Sequence, residues 1–298
     1  MMLIAGTVPV EGFPLTMGRP VIEGENLIVE GSRIPCAQGT GAMISAALAV
    51  TDYLKLEPPQ VLVAGDAGQG DGTRQIYEHL IKKVTDLSPR VMVLHYCLPI
   101  MALMRRLCES VQKCPHKVLM IADAGSMYAA KAAGLAPRFD VFTPDTSETA
   151  FLADPDATHP AYIARHLFDT DMTQTPELIA AAYQHKNAAR LLLVKGAVDY
   201  VVDSGDIVDT VAEPNVPALE AVGGTGDTIT GLVSAFVYAG LEPREAATIA
   251  ARSNRMAGRL AQATPATKVR QIVSQFPAVF RQYLCQWSEV CHMVGGQQ

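Results

Sequence analysis

The sequence predicts an α/β protein in which helices cover both faces of a mostly parallel sheet. Short apolar runs recur between longer amphipathic segments, and these runs are continuous where a half-exposed strand would alternate. A continuous apolar run is typical of a strand buried on both faces. Regular alternation of strands and helices places such strands in a parallel sheet between two helical layers.

The predicted elements extend over most of the chain. Strands are expected at residues 28–29, 61–64, 91–94, 118–121, 140–143 and 190–194. Helices are expected at 43–54, 73–84, 99–112, 127–133, 176–185, 243–263 and 272–285. A hairpin at 200–208 turns at Ser204-Gly205. We expect a single domain over residues 1–298, because no linker rich in proline, glycine, serine or charge interrupts the pattern.

The overall charge restricts the class of partner. The chain has 298 residues, a formal net charge of -6 and a pI near 5.6. Nucleic-acid-binding proteins normally present a basic face, and no run of Lys or Arg occurs here. We therefore expect no nucleic-acid partner. A phosphorylated small molecule is compatible with this charge, because backbone amides can hold phosphate without a basic patch.

The apolar segments and the cysteines predict where in the cell the protein is located. No apolar stretch reaches the roughly 18 residues that span a bilayer, and residues 1–12 lack the basic start of a signal peptide. We expect a cytoplasmic protein without a membrane partner, and hence reduced, mostly buried thiols. The six cysteines are Cys36, Cys97, Cys108, Cys114, Cys285 and Cys291. Cys285, Cys291 and His292 fit no zinc spacing and are interpreted as ordinary tail residues.

The main candidate site is a glycine loop at the start of a predicted buried helix. The loop reads Gly223-Gly224-Thr225-Gly226-Asp227. Gly240 is placed to end the helix in a left-handed conformation. The apolar residues between them are spaced three and four apart, as one core-facing stripe requires. They are Ile229, Leu232, Val233, Phe236 and Val237.

The position of this loop predicts phosphate chemistry. The first amides of a helix lack internal partners, and the helix dipole adds about half a positive charge there. Glycines let a phosphate approach these amides, so the loop predicts an anion hole. A carboxylate in the same turn, Asp227, can remove the proton from a hydroxyl that attacks phosphorus. The alternative is that Asp227 merely caps the helix. No Gly-Lys-Ser/Thr follows, so this is not a Walker loop.

These residues resemble a known signature. The segment Gly223 to Thr228, together with Gly231, resembles the motif near the C-terminus of the ribokinase-like superfamily, and most closely that of the NAD(P)H-hydrate dehydratase family. The resemblance extends over residues 28–284 and implies a ribokinase-like three-layer α/β/α sandwich. Further motifs occur in the family's order. They are Gly39-Thr40-Gly41-Ala42, Ala67-Gly68-Gln69-Gly70, Ala122-Asp123-Ala124, Thr143-Pro144-Asp145-Thr146-Ser147-Glu148 and Val194-Lys195-Gly196-Ala197.

The resemblance implies an enzyme that repairs hydrated NADH or NADPH. It would use ADP or ATP with Mg²⁺ to phosphorylate the ring hydroxyl, after which phosphate leaves. Asp227 would be the base, and Glu148 would organise metal or phosphate. The nucleotide phosphates would contact Gly223, Gly224, Thr225, Gly226, Lys195 and Gly196, and the rest of the nucleotide Ala197, Val198 and Asp199. The substrate would contact Ala42, Gly68, Gly70, Asp123 and Asp145. Oligomers are common in the family, so a homo-oligomer is compatible with this reading.

Three departures from the family pattern bear on the substrate. Asp145 stands where the dehydratases usually have His, Asp66 where Gly is usual, and Glu220-Ala221-Val222 where Met-Ala-Thr is usual. They leave open a kinase of the same fold that acts on a sugar or a hydroxymethylpyrimidine-type alcohol. A non-catalytic nucleotide sensor is a third hypothesis. Asp227 argues against it, since binding alone gains nothing from a carboxylate beside phosphate.

Simpler interpretations remain open for the other candidates. Asp123, Asp145 and Glu148 follow predicted strands, where ligands of open α/β sheets bind, but each could instead serve a helix cap. Lys195 could be a surface residue at a strand end. His95, at the end of another predicted strand, is interpreted as a packed core histidine.

Overall fold

The centre of the fold is a large mixed sheet. The computed structural model describes residues 1–158 and 174–291. Its strands are β1 (Met2–Val8), β2 (Thr16–Gly18), β3 (Val21–Glu23), β4 (Asn26–Val29), β5 (Ser32–Pro35), β6 (Gln60–Gly65), β7 (Val91–His95), β8 (Leu119–Asp123), β9 (Val141–Phe142), β10 (Leu191–Val194), β11 (Asp199–Asp203) and β12 (Asp206–Val211). Within the described ranges, nine of them form one sheet in the order β12-β11-β10-β9-β8-β7-β1-β6-β2.

The middle of this sheet is parallel. The strands β6, β1, β7, β8, β9 and β10 run in one direction. At the two edges, β2, β11 and β12 pair antiparallel with their neighbours. The strands β3, β4 and β5 form a separate antiparallel sheet. The predicted, mostly parallel sheet and the predicted hairpin, now β11 and β12, are both confirmed.

Helices cover both faces of the sheet, as predicted. The longer ones are α1 (Gly39–Tyr53), α2 (Asp71–Leu87), α3 (Met101–Val111), α4 (Ala124–Ala132), α5 (Thr146–Ala153), α6 (Thr175–Gln184), α7 (Thr225–Tyr238) and α8 (Pro243–Leu260). One apolar core lies under α1, α7 and α8, and a second lies under α2 to α6 on the opposite face. Within residues 1–158 and 174–291, no helix is both long and apolar enough to cross a bilayer.

The strand at the centre of the sheet was not predicted from the sequence. β1 lies between β6 and β7, and all seven of its residues are buried. The run ends at Pro9, which follows the strand directly and cannot donate to a sheet ladder. Without a preceding helix or turn, this first run lacked the flanking signals that identified the other strands.

The predicted helix over residues 272–285 is confirmed only in part. The structure has a short helix, α9 (Val269–Val273), then a break, and then a continuous helical stretch made of α10 (Phe276–Val279), a π-helix over Phe280–Leu284 and α11 (Cys285–Trp287). Pro277 explains the break. It has no amide hydrogen and is tolerated in the first turn of a helix but not in its interior.

The structure also corrects the prediction that all cysteines are reduced. Cys285 and Cys291 form a disulfide, because the turn after α11 brings their Cα atoms to 5.3 Å. The other four are free thiols, and Cys36, Cys97 and Cys108 are buried. His292, which the sequence analysis considered beside this pair, lies outside the described residues.

Helices α1 and α7 are in close contact and position the site. Gly231 of α7 permits this contact, since a β-carbon there would overlap the carbonyl oxygen of Met43 in α1. The predicted apolar stripe of α7 is buried throughout, and Gly240 follows the helix with a φ of 105°. Both predictions for this helix are confirmed. As a result, the glycine loop before α7 lies beside the first residue of α1, Gly39.

Candidate active site

Polar residues converge where the parallel strands end. His95 ends β7 and Asp123 ends β8, and the sheet register pairs the two residues. Asp145 follows β9 and Lys195 follows β10, and these two form an isolated β-bridge. Asp123, Asp145 and Lys195 line a cavity of about 570 Å³ together with the glycine loop. This volume is in the usual range of small-molecule sites.

The glycine loop forms one wall of the cavity. Gly224 immediately precedes α7, and its φ of 96° lies in the left-handed region that favours glycine. The Thr225 hydroxyl lies 3.0 Å from the carbonyl oxygens of Leu219 and Val222, and so anchors the loop to the turn before it. The first-turn amides of α7 have no acceptor within the helix. The loop therefore has the form of the predicted anion hole.

Asp227 lies in the first turn of α7 but bonds outside its own helix. Its Oδ2 accepts a hydrogen bond from the amide of Gly39 at 2.7 Å, and its Oδ1 lies 3.1 Å from Nε2 of His95. Burial acts to raise the pKa of Asp227, but the hydrogen bond and charge of His95, with the charge of Lys195, outweigh it and lower the pKa. Asp227 is therefore an ionised carboxylate that also lines the cavity.

His95 is a site residue that the sequence analysis missed. It is completely buried, as a core histidine would be, yet its ring lies between Asp227 and the hydroxyl of Thr40. Its position as the last residue of a parallel strand was the available signal. The next residue, Tyr96, was also missed. Tyr96 lines the cavity with 48% of its side chain exposed.

Lys195 and Asp123 form a buried ion pair beside the glycine loop. Nζ of Lys195 lies 3.0 and 3.2 Å from the two carboxylate oxygens of Asp123. Burial acts to lower the pKa of Lys195, but Asp123 and the neighbouring carboxylates raise it above its usual value. Asp123 also accepts from the amide of Ala124 and the hydroxyl of Thr230. Asp123 thus caps α4 and lines the cavity at the same time, and Lys195 is not a surface residue.

Asp145 and Glu148 form a capping box at the start of α5. Oδ1 of Asp145 accepts from the Glu148 amide at 2.7 Å, and Oε2 of Glu148 accepts from the Asp145 amide at 2.9 Å. Tyr128 donates to the other Glu148 oxygen at 2.6 Å. Burial, with the charges of Asp145 and Asp123, raises the pKa of Glu148 to about 8. The helix-cap interpretation is confirmed for this pair, and both residues nevertheless line the cavity.

Arg255 of α8 holds the turn after β10, and the sequence analysis did not identify it. Its guanidinium donates to Asp199 at 2.7 Å and to the carbonyl oxygens of Gly196, Ala197 and Ala212 at 2.8 to 3.0 Å. These bonds fix the turn that follows Lys195. The guanidinium of Arg255 donates its hydrogen bonds to protein groups, so its role is to stabilise the conformation of this turn.

A family model described as NAD(P)H-hydrate dehydratase matches residues 85–276. The chain belongs to this family. It is 36% identical over 235 residues to the uncharacterized protein MJ1337 of Methanocaldococcus jannaschii, covering 79% of this chain and 96% of that protein. It is also 41% identical over 85 residues to a bifunctional NAD(P)H-hydrate repair enzyme of Hyperthermus butylicus, covering 28% of this chain and 15% of that enzyme.

Solved structures share the fold. A pyridoxal kinase from Lactobacillus plantarum has a TM-score of 0.53 at 15% identity, covering 95% of this chain and 98% of that one. The ADP/ATP-dependent NAD(P)H-hydrate dehydratase from Bacillus subtilis, co-crystallized with ATP and Mg²⁺, has a TM-score of 0.52 at 13% identity, covering 94% and 89%. These similarities confirm the predicted ribokinase-like α/β/α architecture of this family member.

One turn departs from the dehydratase pattern for a visible reason. Asp66, where that family usually has Gly, accepts bonds from the amides of Gly68, Gly70 and Thr73 at 2.9 to 3.0 Å. Burial acts to raise the pKa of Asp66, and these bonds with that from the Thr73 hydroxyl lower it. The amides of the turn therefore point to Asp66. Neither glycine lines the cavity, so the structure does not support their predicted substrate contacts.

Ala42, another predicted substrate contact, does not line this cavity. Ala42 is completely buried, because the first turn of α1 packs its residues 40–43 into the core. Val198 does not line the cavity either, whereas Gly196, Ala197 and Asp199 on both sides of it do.

Three residues of the site could be considered as metal ligands in this dehydratase-family chain. His95, Asp123 and Asp227 each place one ligand atom within 4.8 Å of the others. However, Asp123 is paired with Lys195, and Asp227 is bonded to the Gly39 amide and His95. The Lys195 ammonium already supplies the positive charge that a metal ion would bring to this cluster, so we assign no ion to it.

Proposed function

We propose that this protein dehydrates hydrated NADH or NADPH with ADP or ATP as the phosphoryl donor. One observation carries the proposal: an ionised carboxylate, Asp227, lies in the first turn of the helix that follows a glycine loop, and both line a cavity of about 570 Å³. Membership in the NAD(P)H-hydrate dehydratase family supports the choice of substrate.

The proposed reaction has two steps. The ring hydroxyl attacks the terminal phosphorus of the nucleotide, its proton passes to Asp227, and the bond from that phosphorus to the leaving nucleotide oxygen breaks. The carbon–oxygen bond of the phosphorylated ring then breaks. Inorganic phosphate departs, and loss of a proton from the adjacent ring carbon restores the double bond of NAD(P)H.

The other site residues would bind and orient the reactants. The amides of Gly224 to Asp227 would hold the transferring phosphoryl group, and Lys195 would meet the phosphates as a point charge. The turn Gly196-Ala197, held by Arg255, would contact the nucleotide. Asp123 and Asp145 would face the substrate from the strand ends.

The donors at the cavity wall fit a magnesium ion. Mg²⁺ prefers oxygen ligands and keeps several waters, and the carboxylates of Asp145 and Glu148 line the cavity. These two residues would hold the ion. When bound, it supplies positive charge to the phosphate oxygens. Such charge would favour a phosphate there, since Asp123, Asp145, Glu148 and Asp227 place four carboxyl groups at the cavity and Lys195 is paired with Asp123.

The decisive experiment supplies hydrated NADH with Mg²⁺ and either ADP or ATP, and follows the return of NADH absorbance. We expect recovery with at least one nucleotide and none without it. The opposite result is no recovery with either nucleotide, together with consumption of ATP when a sugar or a pyrimidine alcohol is added. That result would replace the proposal with a kinase of the same fold.

A further inference from the structure

The hydrogen bonds around His95 define where its protons lie. The ring is completely buried and bonded at both nitrogens. Nδ1 lies 3.0 Å from the Thr40 hydroxyl, and Nε2 lies 3.1 Å from Oδ1 of Asp227. A neutral imidazole donates at one nitrogen and accepts at the other, whereas an imidazolium donates at both.

The Thr40 hydroxyl acts as an acceptor toward His95. It lies 2.6 Å from the carbonyl oxygen of Thr7, a group that only accepts. A hydroxyl has one hydrogen, and the shorter contact to a carbonyl takes it. The contact between Thr40 and Nδ1 is then a hydrogen bond only if Nδ1 carries a hydrogen.

Nε2 faces an acceptor as well. An ionised carboxylate such as Asp227 has no hydrogen to donate, so the 3.1 Å contact requires a hydrogen on Nε2. We infer that His95 is an imidazolium, protonated at both nitrogens, and that it is a positioning residue which keeps Asp227 ionised and directed at the cavity. This inference rests on the proposed role of Asp227 as the base.

The surrounding charges favour this state. Besides Asp227 of α7, the ring faces Asp123 of β8, whose Oδ2 lies 3.9 Å from Nε2. Beyond Asp123 lies Lys195, the ammonium that pairs with it. From α1 the ring meets the neutral hydroxyl of Thr40, and the Tyr96 ring packs edge-on against it with 4.4 Å between the ring centroids. Two carboxylates against one ammonium leave an excess negative charge, which a proton on His95 neutralises.

The other place for the shared proton is Oδ1 of Asp227. Burial favours that place, but the Lys195 charge and the Gly39 amide favour the ionised carboxylate and act to lower the pKa of Asp227. Each carboxylate oxygen thus has one fixed donor, His95 on Oδ1 and Gly39 on Oδ2, and keeps a further lone pair for the substrate hydroxyl. In the proposed reaction the substrate proton goes to Asp227, and His95 gains and loses none.

Nuclear magnetic resonance of the histidine ring nitrogens tests the protonation state without any substrate. The H95Q variant identifies the signals of His95 among the seven histidines. We expect both ring nitrogens to be protonated at neutral pH in the wild type. In D227N, whose amide can donate to Nε2, we expect only Nδ1 to be protonated. An unprotonated ring nitrogen in the wild type overturns the inference, whatever the enzyme's substrate proves to be.

The pH profile of kcat/KM tests the positioning role. The acidic limb of the profile reports the pKa of Asp227. In H95Q the neighbouring positive charge is absent, so this limb should move to higher pH by about one to three units. The control is H79Q, which changes a half-buried histidine on α2 and should leave the acidic limb at its wild-type pH. A uniform loss of activity in H95Q without movement of the limb shows a merely structural role and overturns the assignment. If H95Q does not fold, the ring-nitrogen signals that change between the wild type and D227N identify His95, and the wild-type signals still decide its protonation state.

Discussion

The carboxylate of Asp227 accepts a hydrogen bond from the backbone amide of Gly39 at 2.7 Å, although 188 residues separate the two in the chain. Gly39 begins α1, so its amide is one of the donors that a helix leaves without an internal partner. The bond therefore joins the N-termini of α1 and α7 at one carboxylate. It fixes the direction of Asp227 relative to the glycine loop, and this fixed geometry is what a positioned base requires.

The substitution D227N tests the base most directly. Asn keeps the shape of Asp and can still accept from the Gly39 amide, but it cannot take up the substrate proton. Removal of a general base typically lowers kcat by about 10² to 10⁴. We expect a loss of that size with nucleotide affinity nearly unchanged, measured by steady-state turnover and by calorimetric titration with ADP and ATP. D52N, an exposed change on α1, should leave both unchanged. Unaltered turnover in D227N would show that another group is the base.

A pair of glycine substitutions separates strain from loss of the anion hole. Gly224 and Gly240 both have φ in the left-handed region, 96° and 105°. Alanine at either position should cost about 1 to 2 kcal/mol of stability. A β-carbon at Gly224 would lie 3.1 Å from Cα of Gln38, whereas nothing lies within 4 Å of one at Gly240.

We therefore expect G224A to weaken nucleotide binding in addition to lowering Tm. G240A should lower Tm by a similar or smaller amount with unchanged binding, since it lies at the far end of α7. Equal nucleotide affinities of the two variants, by the same titration, would contradict the assignment of the loop as the phosphate site.

The Lys195–Asp123 pair predicts that stability and nucleotide binding can be lost together but restored separately. K195M leaves the Asp123 carboxylate, which is 2% exposed, without its ammonium partner. Breaking a buried pair in this way typically costs about 3 to 5 kcal/mol. In the double variant K195M/D123N the unpaired charge is gone, so most of the stability should return. Nucleotide affinity should stay low in both variants because the cation is absent. Urea unfolding and nucleotide titration of the wild type and both variants measure the two effects. Recovery of binding in the double variant would show that Lys195 serves the fold alone.

The sequence predicted those parts of the molecule that depend on local pattern. Five of the six parallel strands, the hairpin and α7 with its glycine loop were identified, because apolar runs and helix periodicity record burial directly. Residues whose role depends on distant contacts were missed. His95 appears in sequence as the end of an apolar run, and its contact with Asp227 spans 132 residues. Arg255 bonds to the turn after β10 across 56 to 59 residues.

The substrate contacts inferred from the resemblance also depend on tertiary contacts that a local motif does not specify. Ala42 matches a family motif, but the burial of a first helical turn is decided by the packing of α1 against the core. Gly68 and Gly70 match another, but the Asp66 carboxylate takes up their amides. A motif specifies the backbone shape of such a turn. It does not specify which group, protein or ligand, satisfies the amides.

Glu148 predicts a pH dependence of stability. Burial and the neighbouring charges of Asp145 and Asp123 raise its pKa from 4.5 to about 8 in the folded protein. Between these values the folded state keeps a proton that the unfolded state has lost. Stability from this group is therefore present at low pH and is lost as pH rises toward 8. In E148Q no proton is exchanged at this position. The free energy of unfolding should therefore decrease less between about pH 5 and 8 than it does in the wild type.

Urea unfolding of the two proteins across this range, without nucleotide or Mg²⁺, measures the difference. E177Q, an exposed change on α6, is the matched control and should keep the wild-type dependence. Added Mg²⁺ should reduce the loss of stability that the wild type shows between about pH 5 and 8, because a cation at Asp145 and Glu148 favours the ionised carboxylate. It should have no such effect in E148Q. Parallel curves for wild type and E148Q would mean that Glu148 is already ionised in the folded protein. The bonds from Tyr128 and the Asp145 amide would then outweigh the burial of its carboxylate.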